Sequence, residues 1–116
     1  MNFQKENIAD VTVVRVQESR LDSNISSDMK TELLRLIERE GAQNILIDLS
    51  RVDYVDSSGL GALLFGHRQA RLNSGKLKLV NLNTKIRTLI KIAKLENILE
   101  GHQNEKEALK SFQNVQ

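Results

Sequence analysis

The chain has 116 residues, the size of one compact domain, and 40% of them are apolar while 28% are charged. Its formal charge of +2 is too small to indicate nucleic-acid binding. No apolar run is long enough to cross a membrane, and the first ten residues lack the basic start and apolar stretch of a signal peptide. We therefore expect a single cytoplasmic domain over residues 1–116 that contacts neither nucleic acid nor membrane directly.

Cysteine is absent, and histidine occurs only at His67 and His102. These counts exclude disulfide bonds and cysteine nucleophiles, and they leave no recognisable spacing for a metal site. We therefore expect no metal and no cofactor. Only four aromatic residues are present, so the predicted core consists of Leu, Ile and Val packed closely together.

The first third of the chain predicts two strands and a helix. A weak pattern indicates a short strand near residues 2–7, and the β-branched run Val11–Val16 indicates a longer one. Apolar side chains then recur at the spacing of a helix that ends at Gly41. The residues that carry this spacing are Met29, Leu33, Leu36 and Ile37.

The middle of the chain predicts a buried strand followed by a second helix. Residues 44–50 are almost continuously apolar, which is typical of a strand covered on both faces. After a polar turn, a helix is expected to begin near Ser57 or Ser58 and to stop before residues 73–75. Its apolar face is formed by Leu60, Leu63 and Leu64, together with His67 as a half-buried packing residue.

The last third predicts a strand at 76–82 and a third helix after the cap residue Asn83. A further strand is expected around 97–101, and a short final helix uses Ala108, Leu109 and Phe112. Alternation of strands and helices requires crossover connections, so the fold class is α/β, with a mixed sheet of four to five strands and about four helices. Helices on one face would suit so small a chain, but the sequence leaves that open.

The segment "VDYVDSSGLGALLF" at 52–65 has more capping residues than one helix needs. Asp56, Ser57 and Ser58 can each accept a hydrogen bond from the first turn, and neither serine has the Glu or Gln that completes a capping box. Gly59 and Gly61 each cost about 1 kcal/mol relative to Ala within a helix. Such glycines are typical of backbone that comes close to another body, within the fold or outside it.

Enzymatic patterns fail in this segment. A nucleophile elbow needs a glycine where Val55 stands, and a dinucleotide fingerprint needs a glycine where Leu64 stands. A phosphate-binding loop would place core residues at its centre. His67 lies ten residues after Ser57 on one helix, about 15 Å along its axis, which is too far for a general base. We therefore expect a protein that is not an enzyme.

Six basic residues on the second and third helices could form a positive face, but a solvated surface is the interpretation we favour, because the chain has few aromatic residues to stack on bases. They are Arg68, Arg71, Lys85, Arg87, Lys91 and Lys94.

The stretch "VDYVDSSGLGALL" resembles the STAS domain family, the fold of bacterial anti-sigma factor antagonists, in its D-S-S/T-G-L-G signature after a buried strand. "RLD" at 20–22 is similar to the family's G-x-L-D turn, and "SGKLKLV" at 74–80 to its G-G-x-L-x-L-V segment. "NTKIRTLIKIAKLENIL" is similar to the third helix and the strand that follows. The resemblance covers about residues 11–112. Glu18, Ser19 and Lys94 depart from the family pattern.

The resemblance implies a partner-switching role. In the family, the serine after the aspartate is phosphorylated by an anti-sigma factor that is also a serine kinase, with a histidine-kinase-like ATPase fold. That position is Ser57 here, with Ser58 as the second candidate. The unphosphorylated form would bind the anti-sigma factor and release a sigma factor, and a PP2C-type phosphatase would restore it. The implied partner-binding residues are Asp22, Asp56, Ser57, Ser58, Gly59, Leu60 and Gly61.

Physical chemistry explains why a switch would suit this position. Phosphorylation adds about −1.5 to −2 charges, which backbone N–H groups at a helix N-terminus partly satisfy. A partner packed over the glycines would instead have to desolvate a dianion beside Asp56. The alternative function is an unswitched STAS scaffold or a transporter-associated interaction module. We expect a monomer or a weak dimer.

Overall fold

The computed structural model describes residues 2–113 as four helices, one five-stranded sheet and one two-stranded sheet. The strands are β1 (Phe3–Ile8), β2 (Val11–Val16), β3 (Arg20–Leu21), β4 (Asn44–Asp48), β5 (Tyr54–Val55), β6 (Lys76–Val80) and β7 (Gly101–His102). The helices are α1 (Ser26–Glu38), α2 (Ser57–Leu72), α3 (Thr84–Ile92) and α4 (Glu105–Phe112). The predicted α/β class and the predicted number of helices are confirmed.

The large sheet has the strand order β1-β2-β4-β6-β7. The β1–β2 pair is an antiparallel hairpin, and the other pairs are parallel, so the sheet is mixed as predicted. Each parallel step is connected through a helix, which is what short parallel strands require. The apolar run 45–47 lies in the central strand β4 and is fully buried.

Helices cover both faces of the sheet. On one face, α1, α2 and α3 pack over alternate strand residues such as Val14, Ile47 and Leu79. On the other face, α4 covers the intervening residues, where Ala108 packs with Val13. The sequence had left open whether one face or two would be covered.

The second face also holds the two buried charged residues, Asp48 and Lys78, and both are paired. Arg15 bridges Asp48 and Glu105, with N–O distances of 3.0 and 2.6 Å. The Lys78 ammonium donates to Ser111 Oγ at 2.8 Å. Because a buried charge is tolerated only when it is paired, these contacts fix α4 against the sheet at both of its ends.

Two predicted strands end earlier in the structure than in the prediction. The strand expected over 44–50 stops at Asp48, whose carboxylate accepts the N–H of Ser50 and turns the chain. The strand expected over 76–82 stops at Val80, because Asn81 has a φ of 62°, outside the extended region of a regular strand.

The predicted strand around 97–101 is mostly a turn, and β7 is only Gly101–His102. The N–H groups of Ile98 and Leu99 both donate to the carbonyl of Leu95, so the chain forms hydrogen-bonded turns after α3. Leu99 is 1% exposed and fills the core. Its apolar character therefore reflects a buried turn and not a strand.

The small sheet of β3 and β5 was not predicted, because each strand has only two residues. Leu21 and Val55 pair in it and point inwards, with exposures of 0% and 6%. The first turn of α2 packs directly on this pair. A Cβ added to Gly59 would lie 2.0 Å from the Leu21 carbonyl oxygen, so only glycine fits there. This contact sets the position at which α2 begins.

We expect Gly59→Ala to destabilise the fold by about 1–3 kcal/mol or more, because the new methyl group meets backbone that cannot move aside cheaply. Gly61→Ala is the matched control two residues along α2. A Cβ at Gly61 meets nothing within 4 Å, so this change should stabilise the fold by about 0.5–1 kcal/mol. Urea unfolding of both variants measures the difference, and equal effects would contradict the packing argument.

Candidate functional site

The candidate site is the N-terminus of α2, where Asp56 is the capping residue. Its Oδ1 accepts the N–H of Gly59 at 2.9 Å, and its backbone carbonyl accepts the N–H of Leu60. The three candidate caps of the sequence therefore have different roles. The carboxylate caps the helix, while Ser57 and Ser58 are its first two residues and are not needed for capping.

The two serines differ in their accessibility. Ser57 is exposed and Ser58 is partly buried. Within residues 2–113, neither hydroxyl forms a hydrogen bond with another side chain or with the backbone. Ser57 is therefore the more accessible nucleophile for an incoming enzyme, and losing its hydroxyl would cost the fold no hydrogen bond.

Asp22 and Asp56 lie at the same end of the molecule, because the loop before α1 crosses the start of α2. The N–H of Ser23 donates to Asp56 Oδ2 at 3.3 Å. The Asp22 side chain is 13% exposed, and its two oxygens accept from Asn24 N–H at 3.0 Å and Arg20 Nε at 3.2 Å. Asp22 therefore shapes the turn that leads into α1, and Arg20 neutralises part of its charge.

The seven predicted partner-binding residues do not share one environment. Ser57 and Gly61 are exposed, and Asp22, Asp56 and Ser58 are partly exposed. Gly59 and Leu60 are buried, and Leu60 is only 8% exposed. Gly59 has a structural explanation in its contact with Leu21, whereas nothing inside the fold requires a glycine at Gly61.

Arg20 and Tyr54 also border the site, and the sequence analysis did not identify them. They are directly paired in the small sheet, with the guanidinium carbon 4.2 Å from the centre of the tyrosine ring. Their side chains are 60% and 43% exposed. Tyrosine and arginine are the residue types enriched at energetically important positions of interfaces. The only sequence signal was an exposed aromatic residue three positions before Ser57.

Asn83 connects α3 to the same end of the molecule. Its Oδ1 accepts the N–H of Ile86 at 2.8 Å, which confirms the predicted cap. Its Nδ2 donates to the carbonyl of Asp53 at 3.2 Å, just before β5. The strand that leads into Ser57 is therefore held by the start of α3 as well as by β3.

The site has no hydrolytic or metal-binding machinery in the described part of the chain. Ser57 and His67 are on the same helix about 15 Å apart, too far for proton transfer. Within residues 2–113, no three His, Cys, Asp or Glu side chains are placed so that they could hold a metal ion.

His67 is half-buried on α2, as predicted for a packing residue. Burial lowers the pKa of its ring, and the nearby charges of Arg71 and Arg68 lower it further. Its Nδ1 is inaccessible and has no hydrogen-bond partner in the described chain. The folded protein therefore holds His67 as the neutral imidazole, because protonation would place a third positive charge beside the two arginines.

We expect Asp56→Ala to cost about 1 kcal/mol, and up to about 2, because the first turn of α2 loses its cap. Ser57→Ala is the matched control at the neighbouring position and should change stability by less than about 0.5 kcal/mol. Urea unfolding distinguishes them. A larger loss for the serine variant would show that its hydroxyl supports the fold.

We expect acid to destabilise the protein through His67. Because the folded-state pKa lies below the ordinary value of 6.5, the unfolded state binds the proton more readily, and the contribution of His67 to stability is lost as the pH falls below about 6.5. Lys76, Lys78 and Glu100 face the same cavity. His67→Phe should flatten the decline in urea-unfolding free energy between about pH 7.5 and 5.5. An unchanged slope would contradict this assignment.

Known proteins resemble this chain in sequence and in fold. The anti-sigma F factor antagonist of Paenibacillus polymyxa is 24% identical over 115 residues, which are 99% of this chain and 97% of that protein. An anti-sigma-factor antagonist (STAS) domain protein from Planctomyces limnophilus has the same fold, with a TM-score of 0.86 at 20% identity over 97% of this chain and 98% of that chain.

SpoIIAA, a cell fate determinant of Bacillus and an anti-sigma factor antagonist, also has this fold. Its unphosphorylated form has a TM-score of 0.76 at 20% identity over 98% of this chain and 100% of that chain. Its phosphorylated form has a TM-score of 0.72 at 22% identity over 95% of this chain and 98% of that chain. At these identities the structures establish the fold.

No helix within residues 2–113 combines the length and apolarity needed to cross a bilayer. The family model of the STAS domain matches residues 2–108 and so covers the large sheet, the candidate site and the first residues of α4. The chain therefore belongs to the STAS domain family.

Proposed function

We propose that the protein is an anti-sigma factor antagonist whose binding is switched by phosphorylation of Ser57. The unmodified form binds a cytoplasmic anti-sigma factor, which is also a serine kinase with a histidine-kinase-like ATPase fold, and so releases a sigma factor. The phosphorylated form dissociates, and a PP2C-type phosphatase restores it. The observation that carries this proposal is the exposed Ser57 hydroxyl, which has no role within the described fold.

Accessibility supports Ser57 as the modified residue in preference to Ser58. A kinase must bring the γ-phosphate in line with the attacking hydroxyl, which requires free space around that oxygen. Ser57 is exposed on the first turn of α2, while Ser58 is partly buried. The exposed Gly61 lies one turn further along the helix and leaves open surface beside Ser57 for the kinase.

The fold tolerates a phosphate at this position. The free N–H groups of the first turn and the positive end of the helix dipole both favour a negative charge there. Because Asp56 already uses its Oδ1 to cap Gly59, the phosphate does not have to replace the cap. Phosphorylation should therefore leave the fold of the domain intact.

A phosphate on Ser57 would prevent the partner protein from docking on this surface. Asp56 directly precedes Ser57, and its Oδ2 accepts the N–H of Ser23, so the added dianion lies beside an existing carboxylate. A partner surface that covers Ser57 and Gly61 would have to desolvate this charge or supply an additional cation. The same surface accepts the uncharged hydroxyl at little cost, so the modification acts as a removable block.

We expect Ser57→Ala to bind the anti-sigma factor of the same organism about as tightly as the unphosphorylated wild type. Ser57→Asp should bind at least about tenfold more weakly, because it places a charge at the docking surface. Ser58→Ala is the matched control and should still be released when the kinase and ATP are present. Isothermal titration calorimetry measures each affinity.

Intact-mass measurement of protein from its native host tests the modification independently. A satellite about 80 Da heavier that maps to Ser57 is expected. If Ser57→Asp binds as tightly as wild type and no satellite occurs, the protein is an unswitched STAS scaffold or a transporter-associated module.

A further inference from the structure

A cavity of about 180 Å³ lies between the C-terminal half of α2, the edge of β6 and the turn that precedes β7. It is formed where the sheet is incomplete, because β7 pairs only with Leu79 and Val80. The first half of β6 therefore has no strand on that side, and α2 and the 97–100 turn enclose the gap. At about 30 Å³ per water, the space would hold about six waters.

The side chains around this cavity present hydrogen-bond donors and positive charge. Arg71, Lys76, Lys78 and His67 line it together with Asn97. Glu100 is the one acidic side chain of the lining, and it is already paired with Lys78 at 3.2 Å and with His102 at 2.6 Å. Within residues 2–113, Arg71 and Lys76 have no ion-pair partner, so the lining carries surplus positive charge.

Two of these positive charges, those of Lys76 and Arg71, have an explanation within the fold. A lysine on an exposed sheet edge discourages pairing with another chain, and an arginine in the last turn of a helix complements the helix dipole. Neither reason applies to His67, whose Nδ1 is buried without a hydrogen-bond partner. Because Nδ1 is inaccessible, only the Nε2 edge of the ring can contact a ligand in the cavity.

The state of the His67 ring determines what it can recognise. A buried lone pair without a partner is tolerated better than a buried N–H without one, so the proton of the neutral ring belongs on Nε2. The ring then offers a donor at Nε2, and Arg71 lines the same cavity. The planar donor fork of arginine matches the oxygens of a phosphate group, which can accept from several directions at once.

We propose that this cavity binds a small anion through a phosphate group, held by His67, Arg71 and Lys76. A wider groove continues from it past Arg68 to the apolar side chains of Leu72 and Ile98, which are 77% and 41% exposed. The groove gives the organic part of a phosphate ester an apolar surface. Arg71 is fourteen residues from Ser57 on α2, about 21 Å along the axis, so this site is separate from the docking surface.

The test is NMR titration of the full chain with inorganic phosphate and, separately, with phenyl phosphate, at constant ionic strength set by chloride. We expect saturable shifts of the His67 ring proton and of the backbone amides around the cavity, with a dissociation constant of about 1 mM or below. Tighter binding of phenyl phosphate would identify a phosphate ester as the ligand class, and equal binding would identify free phosphate.

Arg71→Ala should raise the dissociation constant at least about tenfold, because it removes a charge-assisted hydrogen bond. Arg39→Ala is the matched control, since Arg39 is also an exposed arginine at the end of a helix but does not line this cavity. His67→Phe should weaken phosphate binding as measured by the backbone amide shifts around the cavity, while the domain stays folded. Ser57→Asp should bind phosphate as the wild type does, so failure of the switch proposal would leave this result unaffected.

Shifts that grow linearly without saturation, or that are equal in Arg71→Ala and Arg39→Ala, would overturn the proposal. In that case the cations only screen added salt, and the cavity is a gap left by the short edge strand.

Discussion

The close contact between Gly59 and the carbonyl of Leu21 determines where α2 begins. The buried pair of Leu21 and Val55 forms a floor on which the first turn of the helix rests. Because no side chain fits between helix and floor, Gly59 faces the floor, and Ser57, two positions earlier on the same turn, is exposed. The exposure of Ser57 is thus a consequence of packing on the opposite side of the same turn.

This arrangement separates capping from the recognition that we propose for Ser57. Asp56 satisfies the helix terminus with one carboxylate oxygen and holds the α1 loop with the other. Ser57 consequently has no structural duty, and a modification there can change binding while leaving the folding free energy nearly unchanged. A switch placed on the capping residue itself would alter stability and affinity together, and the cell could not regulate one without the other.

The sequence predicted the large elements because each has a strong period or a long apolar run. β2, β4 and α1 are examples, although α1 ends at Glu38, three residues before the predicted end at Gly41, whose φ is 69°. The two-residue strands β3 and β5 have no period to detect. Leu99 was assigned to a strand because an apolar residue in a buried turn has the same local pattern as one in a sheet. The second face of the sheet is covered by α4, and no local sequence pattern specifies where a helix packs in the tertiary structure.

The sequence predicted where the site lies, but it did not predict the role of each residue in it. The excess of capping residues indicated that something other than folding used this turn, but it did not distinguish Asp56 from the serines as the cap. Arg20 and Tyr54 were missed because they meet only through the pairing of two distant segments. Gly59 and Gly61 looked equivalent in the sequence, yet one is required by a backbone contact and the other meets empty space.

That empty space at Gly61 affects how such a protein could diversify. A Cβ at this position meets nothing within 4 Å, so the fold does not require a glycine there. After a gene duplication, a substitution there could therefore exclude an old partner or admit a new one while the domain itself remained intact. Two copies of the same scaffold could in this way become insulated from each other's signalling pathways through a single exposed helical position.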